Sequence, residues 1–482
     1  MLPTPAQMLE AERAAFARGV TAEELMEQAG LQIADVVRQF HPQPAACHVF
    51  YGKGHNGGDV LVAARHLAMR GWSVHLESPF SNDALAPLTA SRLALANSSP
   101  PIRSTTLVVL DGLLGIGATG DPRDPVAEAV RRINHLRTNH GAWVLSADIP
   151  SGLLDDRLGS PCVLADCTVA VGFAKSLLVA DHATAAVGRL VIATLEELHA
   201  PEGTDPATVL SAAMLRPLVA PRPFEFHKGR AGRIGIIAGS AKYPGAARLC
   251  SAGAVKAGAG LVTLFAPPEI LPALSVSTIP EVIIAPLEAA RDVLEAPLDA
   301  IGIGPGVGRE RDALMREIIQ SATAPSVVDA DALNTSSLST LRSCAGDRLL
   351  TPHPGEMERL YPQNGRPRRE WMAGFLKECP ATLLLKGSRT IIGARGEYPV
   401  FNTTGHPGMA SGGMGDVLTG VCAALIAQGK SPRDAAMTGA WACGRAAEIA
   451  IYHNAASQES LSASDVLEYL GAAFTDLRAG VF

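Results

Sequence analysis

Short apolar strands that end in glycine and acidic residues recur along the whole chain, and this alternation constrains the fold more than any other feature. Cys47–Tyr51, Leu107–Asp111 and Trp143–Asp148 are each followed by a turn or loop containing glycine. Strands that alternate with helices at this spacing predict β–α–β units and a parallel, doubly wound sheet. Ligands of such sheets bind beyond the carboxyl ends of the strands, so these turns are the candidate sites.

A proline-rich stretch interrupts the alternation near the middle of the chain. Five prolines fall between residues 199 and 228, and the strand pattern restarts at Arg233–Ala238. A chain of 482 residues is also too long for a single ordinary hydrophobic core. We therefore predict an α/β protein with domains at residues 1–205 and 225–482, joined by a linker at 206–224.

Charge and cysteine usage argue against several classes of function. The net charge is −6 and no long run of lysine and arginine occurs, so we expect neither nucleic acid nor an anionic membrane as a partner. The eight cysteines form no CxxC pair and predict reduced thiols in a cytoplasmic protein. We recognise no signal peptide and no apolar run long enough to span a membrane.

The densest glycine cluster lies at residues 405–415, directly before a helix that begins near Asp416. Glycines let backbone amides converge on one point, and a helix N-terminus adds positive partial charge there, so the turn predicts a phosphate site. Asp416 would repel phosphate unless it has another task, such as accepting a proton from an attacking hydroxyl. The alternative is a simple turn with a capping aspartate.

Further polar residues follow strands in the C-terminal half. His353 either contacts substrate or caps a turn, and Lys386 either neutralises phosphates or is a solvated surface lysine. Asp329 and Asp331 could shape the site or hold Mg²⁺ through water. The turn GIGPGVG at 302–308 does not match the dinucleotide spacing, so it is open between a plain turn and a ligand loop.

The N-terminal half carries a second glycine turn, Asn56–Asp59, between a strand and a helix. Asn56, Asp111 and Ser151 are oxygen donors at strand ends and could meet around a monovalent cation. Asp148 would then remain free as a general acid or base. The alternative is that each of these strand-terminal residues only caps a neighbouring helix.

These motifs together resemble a known family. The segments GKGHNGGD (52–59), DGLLGIGATGD (111–121) and DIPSG (148–152) are similar to those of NAD(P)H-hydrate epimerases. Residues 228–262 and five later motifs resemble ADP-dependent NAD(P)H-hydrate dehydratases. The five motifs are GIGPGVG, DADALN, TPHPGEMERL, LLLKGSRT and NTTGHPGMASGGMGDVLTG. The resemblance covers nearly the whole chain, and the order of the halves is that of the bifunctional nicotinamide nucleotide repair enzymes.

For the N-terminal half, the resemblance implies a Rossmann-like three-layer αβα domain that interconverts the R and S forms of hydrated NADH and NADPH. It implies K⁺ ligands at Asn56, Asp111 and Ser151, and Asp148 is our candidate for proton transfer. The implied substrate contacts are His55, Asn56, Gly57, Gly58, Asp59, Gly115, Ile116, Gly117, Ala118, Thr119, Gly120, Asp121 and Asp148.

For the C-terminal half, the resemblance implies a ribokinase-like αβα domain that uses ADP, with Mg²⁺, to phosphorylate the hydroxyl of the S-hydrate. Loss of phosphate would then restore NAD(P)H and leave AMP. The implied hydrate contacts are Ala247, Gly306, His353 and Asp416. The implied nucleotide contacts are Lys386, Gly387, Ser388, Arg389, Thr390 and Gly415. We expect small-molecule partners only, and a homo-oligomer.

Two residues depart from the family pattern. His55 stands where the first asparagine of the NNGGD loop is usual, and Met414 stands where the threonine of GTGD is usual. We expect activity to survive both, because Asn56 is retained and backbone amides do not depend on the side chain at 414. Two alternatives stay open: a ribokinase-like small-molecule kinase with a regulatory N-terminal domain, and an inactive N-terminal half that serves only binding or assembly.

Overall fold

The computed structural model describes residues 1–96, 104–454 and 456–482. The chain separates into two compact units, Met1–Val209 together with Phe482, and Leu210–Val481. The division falls inside the stretch predicted as a linker, and that stretch is not irregular throughout. A short helix, Ala212–Leu215, lies within it and buries Leu215. No helix among the described residues is long and apolar enough to cross a membrane.

The first unit is built on a six-stranded sheet. Its strands are β1 (Ala46–Tyr51), β2 (Ser73–Glu77), β3 (Leu107–Gly112), β4 (Trp143–Ala147), β5 (Cys167–Val171) and β6 (Arg189–Ala193). The order is β2-β1-β3-β4-β5-β6 and all neighbours are parallel. The winding direction reverses between β1 and β3, which opens a crevice at the carboxyl ends of these two strands. A two-residue strand, β7 (Thr208–Val209), ends the unit.

Helices cover the sheet of the first unit. They are α1 (Pro5–Ala17), α2 (Ala22–Phe40), α3 (His55–Ala68), α4 (Pro87–Leu95), α5 (Val126–His140) and α6 (Thr184–Val187). Thr21 and Glu24 form a capping box at the start of α2. Helix α3 packs on β1 and β3, and α5 packs through Val130 and Ile133 on a cluster that includes Phe50. α3 begins at His55, so the residues Asn56–Asp59, predicted as a turn, form the start of the helix.

The second unit contains a larger sheet. Its strands are β8 (Arg233–Ile237), β9 (Leu261–Ala266), β10 (Val282–Pro286), β11 (Ala300–Ile303), β12 (Ser326–Val328), β13 (Arg348–Leu350), β14 (Thr382–Leu385), β15 (Thr390–Gly393) and β16 (Val400–Asn402). These nine strands run in the order β10-β9-β8-β11-β12-β13-β14-β15-β16. Neighbours are parallel as far as β14, whereas β15 and β16 pair antiparallel. The winding direction reverses between β8 and β11.

A large apolar cluster formed by helices and strands supports the sheet of the second unit. The helices of this unit are α7 (Ala212–Leu215), α8 (Pro244–Lys256), α9 (Leu271–Ser277), α10 (Arg291–Leu294), α11 (Asp312–Ser321), α12 (Ala330–Thr335), α13 (Leu338–Arg342), α14 (Pro354–Leu360), α15 (Arg368–Glu378), α16 (Met414–Ala427), α17 (Pro432–His453) and α18 (Ala463–Ala479). Helices α8, α16, α17 and α18 pack together, and α16 lies against β11 and β12. This packing fixes the N-terminus of α16 beside the carboxyl ends of those strands.

Candidate active sites

Close packing explains two of the glycines in the first turn of α3. A Cβ atom at Gly57 would lie 2.1 Å from the carbonyl oxygen of Gly52, and one at Gly58 would lie 2.4 Å from the Met26 side chain. Both glycines are buried, whereas His55 at the start of the helix is exposed. The turn therefore needs glycine to let the helix approach β1 and α2, whether or not a ligand is bound.

The three predicted cation ligands of the first unit lie in one hydrogen-bonded cluster around Leu114. Asn56 Nδ2 donates to the Leu114 carbonyl oxygen at 2.7 Å, and the Leu114 amide donates to Ser151 Oγ at 3.0 Å. Ser151 Oγ donates in turn to Asp111 Oδ1 at 2.6 Å, and the Ser151 amide donates to Asp111 Oδ2 at 2.9 Å. The side chains of Asp111 and Ser151 are fully buried.

Two features of this cluster suit a cation. Asn56 Oδ1 is buried and has no hydrogen-bond partner, which is costly for a carbonyl oxygen. Burial also raises the pKa of Asp111, although hydrogen bonds from Ser151 and Ser146 oppose that effect. A buried amide oxygen without a partner beside a buried carboxylate is a donor set that a hard cation satisfies.

Asp148 lies at the end of β4 in a strained conformation, with φ of 62°. Its Oδ1 accepts a hydrogen bond from the Val171 amide at 3.2 Å and forms a salt bridge with the Lys175 ammonium. Lys175 also donates to the Val171 carbonyl oxygen at 2.7 Å, and its side chain is only 1% exposed. A buried lysine therefore fixes the candidate proton-transfer group, and sequence reasoning missed it.

Two further carboxyl groups interact electrostatically with Asp148. Burial raises the pKa of Asp59 well above its usual range, and Asp148 and Glu12 raise it further. Burial likewise raises the pKa of Glu12, followed by the charge of Asp148. Lys175 opposes both shifts. The site thus combines one salt-bridged carboxylate with two carboxyl groups of raised pKa, and Glu12 was not predicted from the sequence.

The predicted contact segment after β3 is a loop rather than a helix. Gly115 and Ile116 are half-buried and Gly117, Ala118, Thr119, Gly120 and Asp121 are exposed. Asp121 makes a bidentate salt bridge with Arg157 at 2.9 and 3.0 Å and accepts from the Ser160 amide at 2.9 Å. The Arg157 hydrogen bonds lower the pKa of Asp121. Asp121 therefore ties this loop to residues 157–160.

In the second unit, the N-terminus of α16 is the centre of the candidate site. Gly413 is the N-cap, with φ of 91°, and no side chain caps the helix there. Asp416 lies in the first turn and is not the cap, so the capping alternative is wrong. A Cβ atom at Gly415 would lie 3.3 Å from both Lys386 Nζ and Asp329 Oδ2. The helix N-terminus, an ammonium and two carboxyl groups therefore meet here.

A salt bridge and a hydrogen bond hold Asp329, one of the charged groups around Asp416. Lys386 Nζ donates to Asp329 Oδ1 at 2.7 Å, and Thr419 Oγ1 donates to Asp329 Oδ2 at 2.9 Å. Burial works against the charged form of Lys386, but Asp329 and further carboxylates outweigh it and raise its pKa. Burial, followed by the charge of Asp329, raises the pKa of Asp416 to about 6. Asp416 is thus poised near neutral pH, as a general base requires.

The turns after β8 and β11 are locked together beside this centre. The Gly239 amide donates to the Pro305 carbonyl oxygen at 2.8 Å, and Gly306 has φ of 64°. A Cβ atom at Gly306 would lie 2.8 Å from the Tyr243 side chain, so the turn requires glycine. Ala247 lies beneath Gly239 and is fully buried, so it presents no surface to a ligand in this conformation.

The remaining predicted residues of the second unit differ in exposure. His353 is the N-cap of α14, where Nδ1 accepts from the Gly355 amide at 3.0 Å, yet its side chain is 53% exposed. Gly387 and Ser388 are exposed and Thr390 is half-buried. Arg389 is only 2% exposed. His353 therefore caps a helix and remains open to solvent, while Arg389 belongs to the interior.

A buried network on α17 anchors the start of the glycine-rich loop, and sequence reasoning missed it. The Gly405 amide donates to Glu448 Oε1 at 3.0 Å, and Arg445 Nη1 donates to Glu448 Oε2 at 3.2 Å. Arg445 Nε also donates to Asp476 Oδ2 at 2.8 Å. Glu448 and Arg445 are almost fully buried. The loop before α16 is thus held from beneath, which preorganises its amides.

Comparison with known proteins agrees with this division of the chain. Residues 234–469 match the NAD(P)H-hydrate dehydratase family, and residues 22–177 match the family described as YjeF-related protein N-terminus. The second unit is similar to the ADP/ATP-dependent NAD(P)H-hydrate dehydratase of Bacillus subtilis, co-crystallised with ATP and Mg²⁺. That match has a TM-score of 0.52 and 27% identity, and covers 56% of this chain and 99% of that one.

Curated relatives match over nearly the whole chain. The bifunctional NAD(P)H-hydrate repair enzyme Nnr of Moorella thermoacetica is 35% identical, over 92% of this chain and 91% of that protein. The enzyme of the same name from Escherichia coli is 33% identical, over 90% of this chain and 87% of that protein. The two sites and folds define an enzyme with two α/β units, the second ribokinase-like. The chain belongs to the family of bifunctional NAD(P)H-hydrate repair enzymes.

The predicted resemblance and fold class are confirmed by these matches. Nicotinamide nucleotide repair is likewise the function that the family shows, with an epimerase and a dehydratase joined in one chain. The alternative of a vitamin or sugar kinase with a regulatory N-terminal domain is therefore set aside. The roles of individual residues remain predictions.

Proposed function

We propose that the second unit dehydrates the S form of hydrated NADH and NADPH by a kinase-like step at the N-terminus of α16. Asp416 takes the proton of the hydrate hydroxyl, whose oxygen attacks the terminal phosphorus of ADP and displaces AMP. The phosphorylated hydrate then loses phosphate and a ring proton, which leaves NAD(P)H. Each phosphoryl transfer of this kind depends mainly on positioning and electrostatic stabilisation.

The observation that carries this proposal is the convergence of Asp416, Lys386 and the amides of α16 in one place. The amides and the Lys386 ammonium stabilise negative charge on the transferring phosphoryl group. The pKa of Asp416, raised by burial and by Asp329 to about 6, gives a base that is ionised at neutral pH and still able to accept a proton. No covalent intermediate with the protein is required.

Other residues of the second unit complete the proposed site. We assign hydrate contacts to Gly306 and His353, with Ala247 as backing beneath the turn, and nucleotide contacts to Gly415 and residues 386–390. Mg²⁺ fits beside Asp329 and Asp331, because it binds through one or two carboxylates together with substrate phosphates. The carboxylates that raise the pKa of Asp416 form the negative region which such a cation would offset.

In the first unit we propose that Asp148 transfers the proton when the R and S hydrates interconvert. The support is its place at the carboxyl edge of the sheet, its strained backbone and its buried salt bridge with Lys175. Residues 55–59 and 115–121 would contact the substrate in the crevice beside it. Asn56, Asp111 and Ser151 would hold K⁺, which supplies fixed positive charge; the unpartnered Asn56 Oδ1 supports this assignment.

Incubation of the protein with hydrated NADH tests the function directly. We expect the absorbance of the dihydronicotinamide to return when ADP and Mg²⁺ are added, with AMP and phosphate as co-products. ADP and ATP are compared in parallel, because the residues assigned to the site do not by themselves distinguish a nucleoside diphosphate from a triphosphate. Slow consumption of pure R-hydrate in the absence of the epimerase unit, and fast consumption in its presence, would show that the first unit is active. No recovery with either nucleotide would overturn the proposal.

Two expectations complete the proposal. We retain a cytoplasmic location, which the eight free cysteines support because seven of them are buried thiols without disulfides. We also retain a homo-oligomer, which light scattering of the purified chain would test.

A further inference from the structure

Two histidines and a glutamate come together on the edge of the first sheet, away from the crevice described above. His48 on β1 and His75 on β2 are register partners on neighbouring parallel strands. Glu77 follows two residues after His75, so its side chain points to the same face of the sheet. β2 is the outermost strand of the sheet, and His75 on it is exposed to solvent.

The three side chains are close enough to share one ion. Their candidate ligand atoms all lie within 4.8 Å of one another, and this is the one group of three or more metal-ligating side chains found among residues 1–96, 104–454 and 456–482. His48 Nε2 lies 2.8 Å from Glu77 Oε2. The His48 and His75 rings meet edge to face with centroids 4.5 Å apart. Tetrahedral Zn²⁺ ligands lie about 3.3–3.6 Å apart, so small side-chain rotations suffice.

Neighbouring contacts fix two of the three side chains in place. The His48 ring stacks on Phe50, with centroids 4.6 Å apart. Arg132 of α5 donates to Glu77 Oε1 at 2.9 Å, which leaves Oε2 directed towards His48. The Arg132 side chain is 54% exposed, so solvent screens its repulsion of a bound cation. Because one carboxylate oxygen of Glu77 is already held, the side chain loses little conformational entropy when the other oxygen binds a metal ion.

We propose that His48, His75 and Glu77 bind a divalent transition metal, with Zn²⁺ as the preferred ion. Two imidazoles and one carboxylate form the ligand class that Zn²⁺ takes in proteins, with water completing the coordination. The ion would join the edge strand β2 to β1 through side chains as well as through backbone hydrogen bonds. The site lies outside the residues proposed for either reaction, and it does not depend on those proposals.

The test uses the full chain, freed of metal by a chelator that is then removed. Zn²⁺ alone is titrated in competition with a chromophoric chelator. We expect the wild type to take up one Zn²⁺ that a His75→Ala variant binds at least about 100-fold more weakly, since even outer contacts of a metal site are worth 10- to 100-fold. His75 is exposed, so its removal leaves the core intact.

Two further variants separate a metal site from a hydrogen-bonded cluster. Glu77→Gln keeps the shape and a hydrogen bond to His48 but removes the anionic ligand, so it should also lose Zn²⁺. His135→Ala on α5 is the matched control: its ring contacts His140, with centroids 5.6 Å apart, and both are exposed. We expect that variant to bind Zn²⁺ like the wild type.

Thermal unfolding supplies a second readout, since an ion that binds only the folded state raises Tm. Zn²⁺ should raise Tm of the wild type and of His135→Ala, but not of His75→Ala, and epimerisation and dehydration should be unchanged by His75→Ala. Equal Zn²⁺ uptake by the wild type and His75→Ala would overturn the proposal, as would an equal loss in His135→Ala.

Discussion

The glycine turns before α3 and α16 are alike in sequence and different in chemistry. Both lead into a helix and both place an aspartate in its first turns, Asp59 in one and Asp416 in the other. At the start of α3, Gly57 and Gly58 are buried against neighbouring atoms. In the turn before α16, Gly412 is exposed, and a Cβ atom added there would meet no other atom within 4 Å.

The neighbouring strand ends create the difference between the two turns. Beside α16 stands the Lys386 ammonium, which is paired with Asp329, so the proposed phosphate site is built from an ammonium, helix amides and carboxylates suited to Mg²⁺. Beside α3 stand the buried carboxylate of Asp111 and the unpartnered oxygen of Asn56, which are the oxygen donors proposed to hold a cation. Glycine density therefore marks a place where backbone must come close, and the side chains around it decide which ligand binds.

The largest expected effect comes from removing Asp416, the proposed base at the N-terminus of α16. Asp416→Ala should lower the rate of dehydration by at least about 10³-fold, because a positioned general base contributes about 10²–10⁴-fold. The neighbouring Asp329 is held by Lys386 and Thr419. Epimerisation should be unchanged. Both rates are measured on one preparation. Asp434→Ala, in the first turn of α17, is the control; a loss of both activities in Asp416→Ala alone would contradict independent sites.

On the α3 side, Asp148→Ala should slow epimerisation by about 10²–10³-fold, because the proton-transfer group is removed. Dehydration of the S-hydrate should not change. Interconversion is followed by chromatography of the two hydrates. Asp35→Ala on α2 serves as the control, because Asp35 is an aspartate outside the proposed site that forms a salt bridge with Arg38 at 3.1 Å. An epimerisation rate equal to that of the wild type would refute the role of Asp148 and revive the view that the first unit only binds.

Sequence reasoning captured the parts of both sites that lie at strand ends. Asp111, Ser151 and Asn56 were predicted to meet because the carboxyl ends of parallel strands share one edge, and the structure places them in one cluster. Lys386 was recognised for the same reason.

What the sequence did not reveal depends on tertiary packing. Lys175 lies 27 residues beyond Asp148, after another strand, and nothing in the local pattern marks it as a partner. Glu448 lies on the inner face of a helix, and nothing in the local sequence distinguishes it from other helical glutamates, although it accepts a hydrogen bond from the Gly405 amide. The strands β15 and β16 pair antiparallel and were not predicted, because they do not follow the pattern of β–α–β units.

The pH dependence of dehydration tests the role of Asp416 further, with an expected change in kcat/KM of about tenfold between neutral pH and pH 5. Burial, then the charge of Asp329, raises the pKa of Asp416 to about 6. The ionised carboxylate is the active base, so a raised pKa means that activity is lost as the pH falls through 6. At pH 5 we expect about one-tenth of the plateau value of kcat/KM.

Lys386→Met separates this titration from other acid effects. Lys386 lowers the pKa of Asp416, so its removal should move the acidic limb to higher pH as well as reduce the plateau. The same pH series for epimerisation provides the internal control. An acidic limb that stays in place in Lys386→Met would show that another group controls the rate.

The smallest expected effect concerns the departure at Met414. If the phosphate binds backbone amides, Met414→Thr should change kcat for dehydration by less than about 3-fold, because the amide at this position is unaltered. The Met414 side chain is half-buried against the apolar cluster of α8, α16 and α17. Threonine buries less apolar surface than methionine, so the replacement should lower the free energy of unfolding by about 1 kcal/mol. Steady-state kinetics and denaturant unfolding measure the two effects. A gain in kcat of tenfold or more would mean that a hydroxyl at this position contacts the transferring phosphate, and the α16 site would then depend on a side chain as the cluster around Asn56 does.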